Sequence, residues 1–267
     1  MLNIGLIGCG KMGGALLRGV EQALGKTALT ATLSDVVPAA AEGLKKSLAC
    51  KARCASPEAT AAAADVVLLA VKPGDLRPLC ESLATVKGNR LYLSIAAGVS
   101  LADLEAWLGS TARIIRAMPN TPALVGAGAA AFAAGRKATA KDRALAAKIL
   151  GSVGTVDEVS EKLLDAVTGL SGSGPAYVFT VIEALADGGV LMGLPRTAAL
   201  QLAAQTVAGA AQLVLASGRH PAALRDEVTS PGGTTIAGLE QLEAHGLRHA
   251  LIQAVRKATE RSRDLGR

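Results

Sequence analysis

The chain has 267 residues, enough for two compact domains rather than one core. Hydrophobic residues make up 50% and aromatic residues only 2%, which excludes a disordered chain and argues against stacking single-stranded nucleic acid on aromatic rings. The formal charge of +6 reads first as solubility and second as a mild attraction for anionic ligands.

The chain opens on "NIGLIG" (residues 3–8), a strand with no basic stretch or cleavage site ahead of it, so no signal peptide is expected. "MGGALLRGVEQAL" follows as a helix, "ALTATLSD" as a second strand and "PAAAEGLKKSL" as a helix. "DVVLLAV" and "RLYLSIAA" are apolar on consecutive positions, the mark of strands covered on both faces. "RIIRAMP" and "GAGAAAFAAG" continue the series, and "VGTVDEV" reads as its last strand. Strands alternating with helices imply a doubly wound parallel sheet over residues 1–160. From Glu161 the patterns are all helical, so residues 161–267 form a second, α-helical domain. One stretch, "TAALQLAAQTVAGAAQLVLAS" (residues 197–217), is as long as a bilayer span, but Gln201, Gln205 and Gln212 would lack partners in lipid. It reads as a buried helix between domains or subunits, and no membrane is expected.

Gly8-Cys9-Gly10-Lys11-Met12-Gly13 is a G-x-G-x-x-G run between the first strand and its helix. Gly8 permits the tight turn, Gly10 lets backbone approach a pyrophosphate, and Gly13 lets helix and strand pack closely. The helix N-terminus offers N–H groups to the phosphates. In that context the run predicts a Rossmann-type dinucleotide site. Ser34 and Asp35 end the second strand; an acid there accepts from ribose hydroxyls and favours NADH, whereas Ser34 could serve a 2′-phosphate. The loops after later strands, with Ala70, Val71, Lys72 and Pro73 and with Ile95, Ala96 and Ala97, border the same edge. Asn120 is placed to abut the nicotinamide, although a plain turn explains it equally well.

Late in the chain, "TSPGGTT" puts Ser230, Gly232, Gly233, Thr234 and Thr235 ahead of a helix. Successive amides at such a start make an anion site, flanked here by two hydroxyls; a capped helix turn is the competing explanation. The four cysteines, Cys9, Cys50, Cys54 and Cys80, form no Cys-x-x-Cys pair, and His245 and His249 lack a third ligand. No metal site is expected, and the thiols read as reduced and cytoplasmic. Ser173 reads as the N-cap of the helix that carries Pro175.

"GCGKMG" (8–13), "AVKP" (70–73), "SIAAGV" (94–99), "IRAMPNTPA" (115–123), "AVTGLSGSGPAYVF" (166–179), "ADGGVLMGLPR" (186–196) and "HPAALRDEVTSPGGTTIAGL" (220–239) run in order across the chain. Together they resemble the pyrroline-5-carboxylate reductase family, the last enzymes of proline biosynthesis. The resemblance implies reduction of 1-pyrroline-5-carboxylate to L-proline with NADPH or NADH. It implies a substrate carboxylate on the Gly233–Thr234–Thr235 amides, the Thr235 hydroxyl at the ring nitrogen, and Ser230 in the same pocket. It also implies a homodimer through the helical domain and a ring of dimers. Asp35 departs from the small polar residue usual in the family, which bears on the NADPH preference. Two competing readings are a β-hydroxyacid dehydrogenase, which would need a lysine absent from the helix after Pro175, and a non-catalytic NAD(P) sensor, which would not need the Thr234–Thr235 turn.

Overall fold

The computed structural model describes residues 1–266. The chain forms two compact units: Met1–Ser173 with the stretch from Arg256 onward, and Gly174–Val255. The boundary expected at 160/161 thus falls inside the first unit. Leu164 is buried in the core of the sheet, and Glu161 pairs with Arg116 at 3.0 Å, so this stretch is packed on the sheet before the chain leaves it.

The first unit holds strands β1 (Leu2–Ile7), β2 (Leu29–Ser34), β3 (Lys51–Cys54), β4 (Val66–Leu69), β5 (Leu91–Ser94), β6 (Arg113–Met118), β7 (Gly128–Ala134) and β8 (Gly154–Glu158). They form one sheet in the order β3-β2-β1-β4-β5-β6-β7-β8, reversing direction of growth after β3 as a doubly wound sheet does. Every neighbouring pair is parallel except β6 and β7, which are antiparallel. The exception has a cause in chain length. Residues 119–127 hold only the 3-10 turn Thr121–Val125, too short a link for a parallel crossover.

Between strands run helices α1 (Lys11–Leu24), α2 (Pro38–Ser47), α3 (Pro57–Ala62), α4 (Pro73–Leu83), α5 (Leu101–Leu108) and α6 (Ala140–Gly151). The two-residue alternation of each strand divides its side chains between two cores. Ile4, Leu6, Val66, Leu68, Leu91 and Leu93 pack against α1, α2 and α6. Ile7, Val67, Leu69 and Tyr92 pack against α3, α4 and α5. Both faces are therefore dry, which is why these strands read as unbroken apolar runs.

After α7 (Leu164–Val167) the chain makes a π turn, Thr168–Gly172, and passes into α8 (Gly174–Leu191). Ser173 has helical dihedrals, φ −86° and ψ −24°, and its N–H bonds the Thr168 carbonyl at 2.8 Å. It continues the helical path instead of capping a fresh helix, contrary to expectation, because the π turn already supplies the backbone bonds a cap would replace.

The second unit contains α8, α9 (Arg196–Ser217), α10 (Pro221–Glu227), α11 (Thr234–Ala244) and the start of α12 (Leu247–Leu265), whose end belongs to the first unit. Helices α8 and α9 meet through Ala186, Ala199 and Ala203. Little else of α9 is covered by its own chain: Leu202 is 56% and Leu215 76% exposed. Burial of α9 within its own chain, one form of the expectation, is corrected to that extent. By length and composition alone α9 is also long and apolar enough to cross a membrane.

Candidate active site

The glycine loop has the geometry its spacing predicts. Gly8 sits at φ +99°, and a Cβ there would meet the Ala70 carbonyl oxygen at 2.5 Å; a Cβ on Gly13 would overlap the Gly8 carbonyl. Gly10, by contrast, faces open space. Two glycines are thus demanded by the fold, and the third leaves room for a ligand. Gly10 is also the N-cap of α1, with no side-chain cap and no acid in the first turn. The first amides of α1 keep their donors and the positive end of the helix dipole for an anion.

Beside this loop lies a cleft of about 620 Å³, lined by Gly8, Gly10, Ser34, Asp35, Ala70, Val71 and Lys72 among others. It lies at the carboxyl ends of β1, β2 and β4, where the strand order reverses. Lys72 is the N-cap of α4 and Pro73 its first residue. The structure thus gathers most of the expected cofactor residues into one place. Ile95, Ala96 and Ala97 follow β5, joined to the cleft's strand by the Ile95 N–H on the Leu69 carbonyl at 3.1 Å, but they are not part of the cleft wall. Val36, Val37, Pro57, Asp75 and Leu79 do line it and were not foreseen. For the two valines the signal was present, since they directly follow the acid at the end of β2.

Asp35 is held by backbone. Its Oδ2 accepts the Cys9 N–H at 2.6 Å and its Oδ1 the Val37 N–H at 2.8 Å. The Ser34 carbonyl accepts the Gly8 N–H at 2.9 Å, so the end of β2 is stitched to the glycine loop. Burial pushes the Cys9 thiol up to about 12, with the Asp35 charge adding to the effect. Cys9 is therefore a packing group in the loop, inert as a nucleophile near neutral pH.

Asn120 does not line the cleft and is 7% exposed. Its Nδ2 donates to the Ser171 carbonyl at 3.0 Å, and its Oδ1 accepts the Ala129 N–H at 2.8 Å. Both ends of the amide are spent on the protein, tying β7 and the π turn to the end of β6.

In the second unit, Gly232 turns the chain at φ +66° and Gly233 becomes the N-cap of α11. A Cβ on Gly233 would overlap the Ser230 hydroxyl. The Gly233 N–H is bonded to the Ser230 carbonyl at 3.1 Å, which removes it from the expected set of free donors. Ala237 is the first residue of α11 bonded back, to the Gly233 carbonyl at 3.4 Å. The amides of Thr234, Thr235 and Ile236 lie before it, with no side-chain cap among the described residues and no acid in the first turn. The turn and the N-cap of the competing explanation are both present, but the cap is a glycine and brings no side-chain acceptor to these amides. Among the described residues the four cysteines are free and no cluster of three metal-ligating side chains occurs.

A doubly wound sheet with an uncapped glycine cradle at its first βα turn is the arrangement that binds a dinucleotide. Residues 161–265 match the family model for pyrroline-5-carboxylate reductase dimerisation, and residues 3–98 that for NADP oxidoreductase, coenzyme F420-dependent. The chain is 46% identical over 267 residues to a pyrroline-5-carboxylate reductase of Methanosarcina acetivorans, covering 99% of this chain and 98% of that one. Its structure is similar to that of a pyrroline-5-carboxylate reductase from Coxiella burnetii, with a TM-score of 0.92, 36% identity and coverage of 100% and 99%. The Plasmodium falciparum pyrroline carboxylate reductase, solved with NADP bound, matches with a TM-score of 0.85, 33% identity and coverage of 100% and 98%. The chain belongs to the pyrroline-5-carboxylate reductase family.

Proposed function

We propose that the chain reduces the ring C=N of 1-pyrroline-5-carboxylate to L-proline, with NADH or NADPH as reductant. The observation that carries this reading beyond family membership is the pair of uncapped helix starts, α1 and α11, each preceded by glycine and free of acids in its first turn. Each offers backbone donors to an anion: the α1 start to a pyrophosphate, the α11 start to a carboxylate. The residues of the α1 cradle fit a dinucleotide because Gly10 leaves open the space a side chain would fill.

When bound, the nicotinamide supplies the hydride. The chain supplies placement. The Thr234, Thr235 and Ile236 amides hold the substrate carboxylate, and the Thr235 hydroxyl orients the ring nitrogen. A protonated imine is already electrophilic, so no strong general acid is required. Ser230 packs under Gly233 and sets the shape of the turn. Gly8–Gly13, Ser34, Asp35 and Ala70–Pro73 hold the dinucleotide, with Ile95–Ala97 along the same sheet edge; Asn120 acts one step removed, by fixing the backbone at the end of β6.

Residues 161–265 would form a homodimer through the apolar surface that α8 and α9 leave uncovered, and dimers would assemble into a ring. That burial also accounts for α9 without a membrane. Free cysteines fit a cytoplasmic setting. The test is twofold: loss of nicotinamide absorbance on adding pyrroline carboxylate, and a crystal grown with L-proline. Turnover together with density beside Thr235 supports the reading. Absence of turnover, or proline bound elsewhere, overturns it.

A further inference from the structure

We infer that the cleft beside the glycine loop discriminates against a 2′-phosphate, so that NADH is the preferred reductant, and that Val36 and Val37 are the positions that set this preference. The inference rests on placing the dinucleotide in that cleft, as argued above.

Asp35 lines the cleft. Backbone N–H groups grip both its oxygens, at 2.6 Å from Cys9 and 2.8 Å from Val37. The carboxylate is thus fixed in the wall of the cleft and cannot swing out to admit a second anion. An ionised carboxyl has about four lone-pair sites, so two amides still leave acceptors for ribose hydroxyls.

The two residues after Asp35 carry no charge. Val36 is 95% and Val37 55% exposed, and both line the cleft. They offer apolar surface suited to an adenine ring. A phosphate monoester carries a charge of about −1.5 to −2 and is matched best by a guanidinium fork. Neither valine can provide one. Among the described residues lining the cleft, Lys72 is the only cation, and it stands against two carboxylates, Asp35 and Asp75. Ser34, the other candidate for a phosphate, is buried.

Removing Asp35 would be an ambiguous test, because it also releases the Cys9 and Val37 amides. Val36→Arg leaves that clamp intact and changes a fully solvated position. Dissociation constants for NADH and NADPH, read by nicotinamide fluorescence on the full chain, are compared in wild type, Val36→Arg and Gly10→Leu. We expect wild type to bind NADH about tenfold tighter than NADPH or better. Val36→Arg should shift the NADPH-to-NADH affinity ratio by about tenfold toward NADPH through charge-assisted bonds, whatever loss of apolar contact both cofactors share. Gly10→Leu should weaken both. Equal or tighter NADPH binding in wild type, or an unchanged ratio in Val36→Arg, overturns the discrimination. Normal binding of both cofactors by Gly10→Leu overturns the placement itself.

Discussion

The Asn120 side chain bridges two backbone segments, donating to the Ser171 carbonyl at 3.0 Å while accepting from the Ala129 N–H at 2.8 Å. The Ser171 carbonyl lies in the π turn just before the chain enters the second unit. Asn120→Ala removes both bonds and leaves two backbone groups without partners. It should lower stability by about 2–4 kcal/mol in urea unfolding. Wild-type stability would show that the bridge is dispensable.

A methyl group at Gly233 would occupy the place of the Ser230 hydroxyl. Gly233→Ala should displace the start of α11 and with it the substrate donors. We expect kcat/KM for pyrroline carboxylate to fall about 10–100-fold, with NADH affinity unchanged. Steady-state kinetics beside a cofactor titration separates the two. Unaltered kinetics would mean that the carboxylate is held elsewhere.

Thr235→Ala keeps every backbone donor of the turn and removes only the hydroxyl. It should therefore lower kcat on the order of 10²-fold while cofactor affinity stays near wild type. Parallel loss of cofactor binding would assign the threonine a structural role instead.

Acid sensitivity should centre on Asp142. Burial alone would raise its carboxyl, but the Thr139 amide and hydroxyl and the Arg113 guanidinium outweigh that and hold it below the usual range. A carboxyl lowered in the folded state stabilises fully above about pH 4, its unfolded value, and loses that contribution as pH falls through the folded one. Asp142→Asn should cost about 2–4 kcal/mol at pH 7. It should also make the decline in stability below pH 4 shallower. An acid limb as steep as that of wild type would refute the assignment.

The main strands were legible because both faces of the sheet are covered, so each strand carries an apolar run that no surface strand would tolerate. Strand β3 was not: Lys51 and Arg53 are exposed on an edge, and Lys-Ala-Arg-Cys has no apolar signal. The direction of β7 was hidden for another reason. Side-chain alternation is the same in parallel and antiparallel pairing, and only the length of the preceding link decides. The two glycine turns were legible as turns because positive φ and missing Cβ atoms leave a residue-level mark. Which amides stay free was not, since the Gly233 N–H is consumed by a carbonyl that sequence spacing does not reveal. Asn120, Thr121 and two prolines make a rigid polar corner after a strand, which suits a nicotinamide contact as well as a plain turn; burial of Asn120 turns its amide inward.

The return of α12 to the first unit has a consequence for dissecting the chain. Ser262 donates to Asp165 at 2.7 Å, and Leu265 lies over Gly98. The helical unit is in effect an insertion within a discontinuous domain, entered at Gly174 and left after Val255. A fragment cut at Ser173 would lack part of its own surface, exposing the Asp165 carboxyl and the loop that follows β5. Excising the insertion and rejoining its flanks with a short linker is the way to obtain the nucleotide-binding half alone.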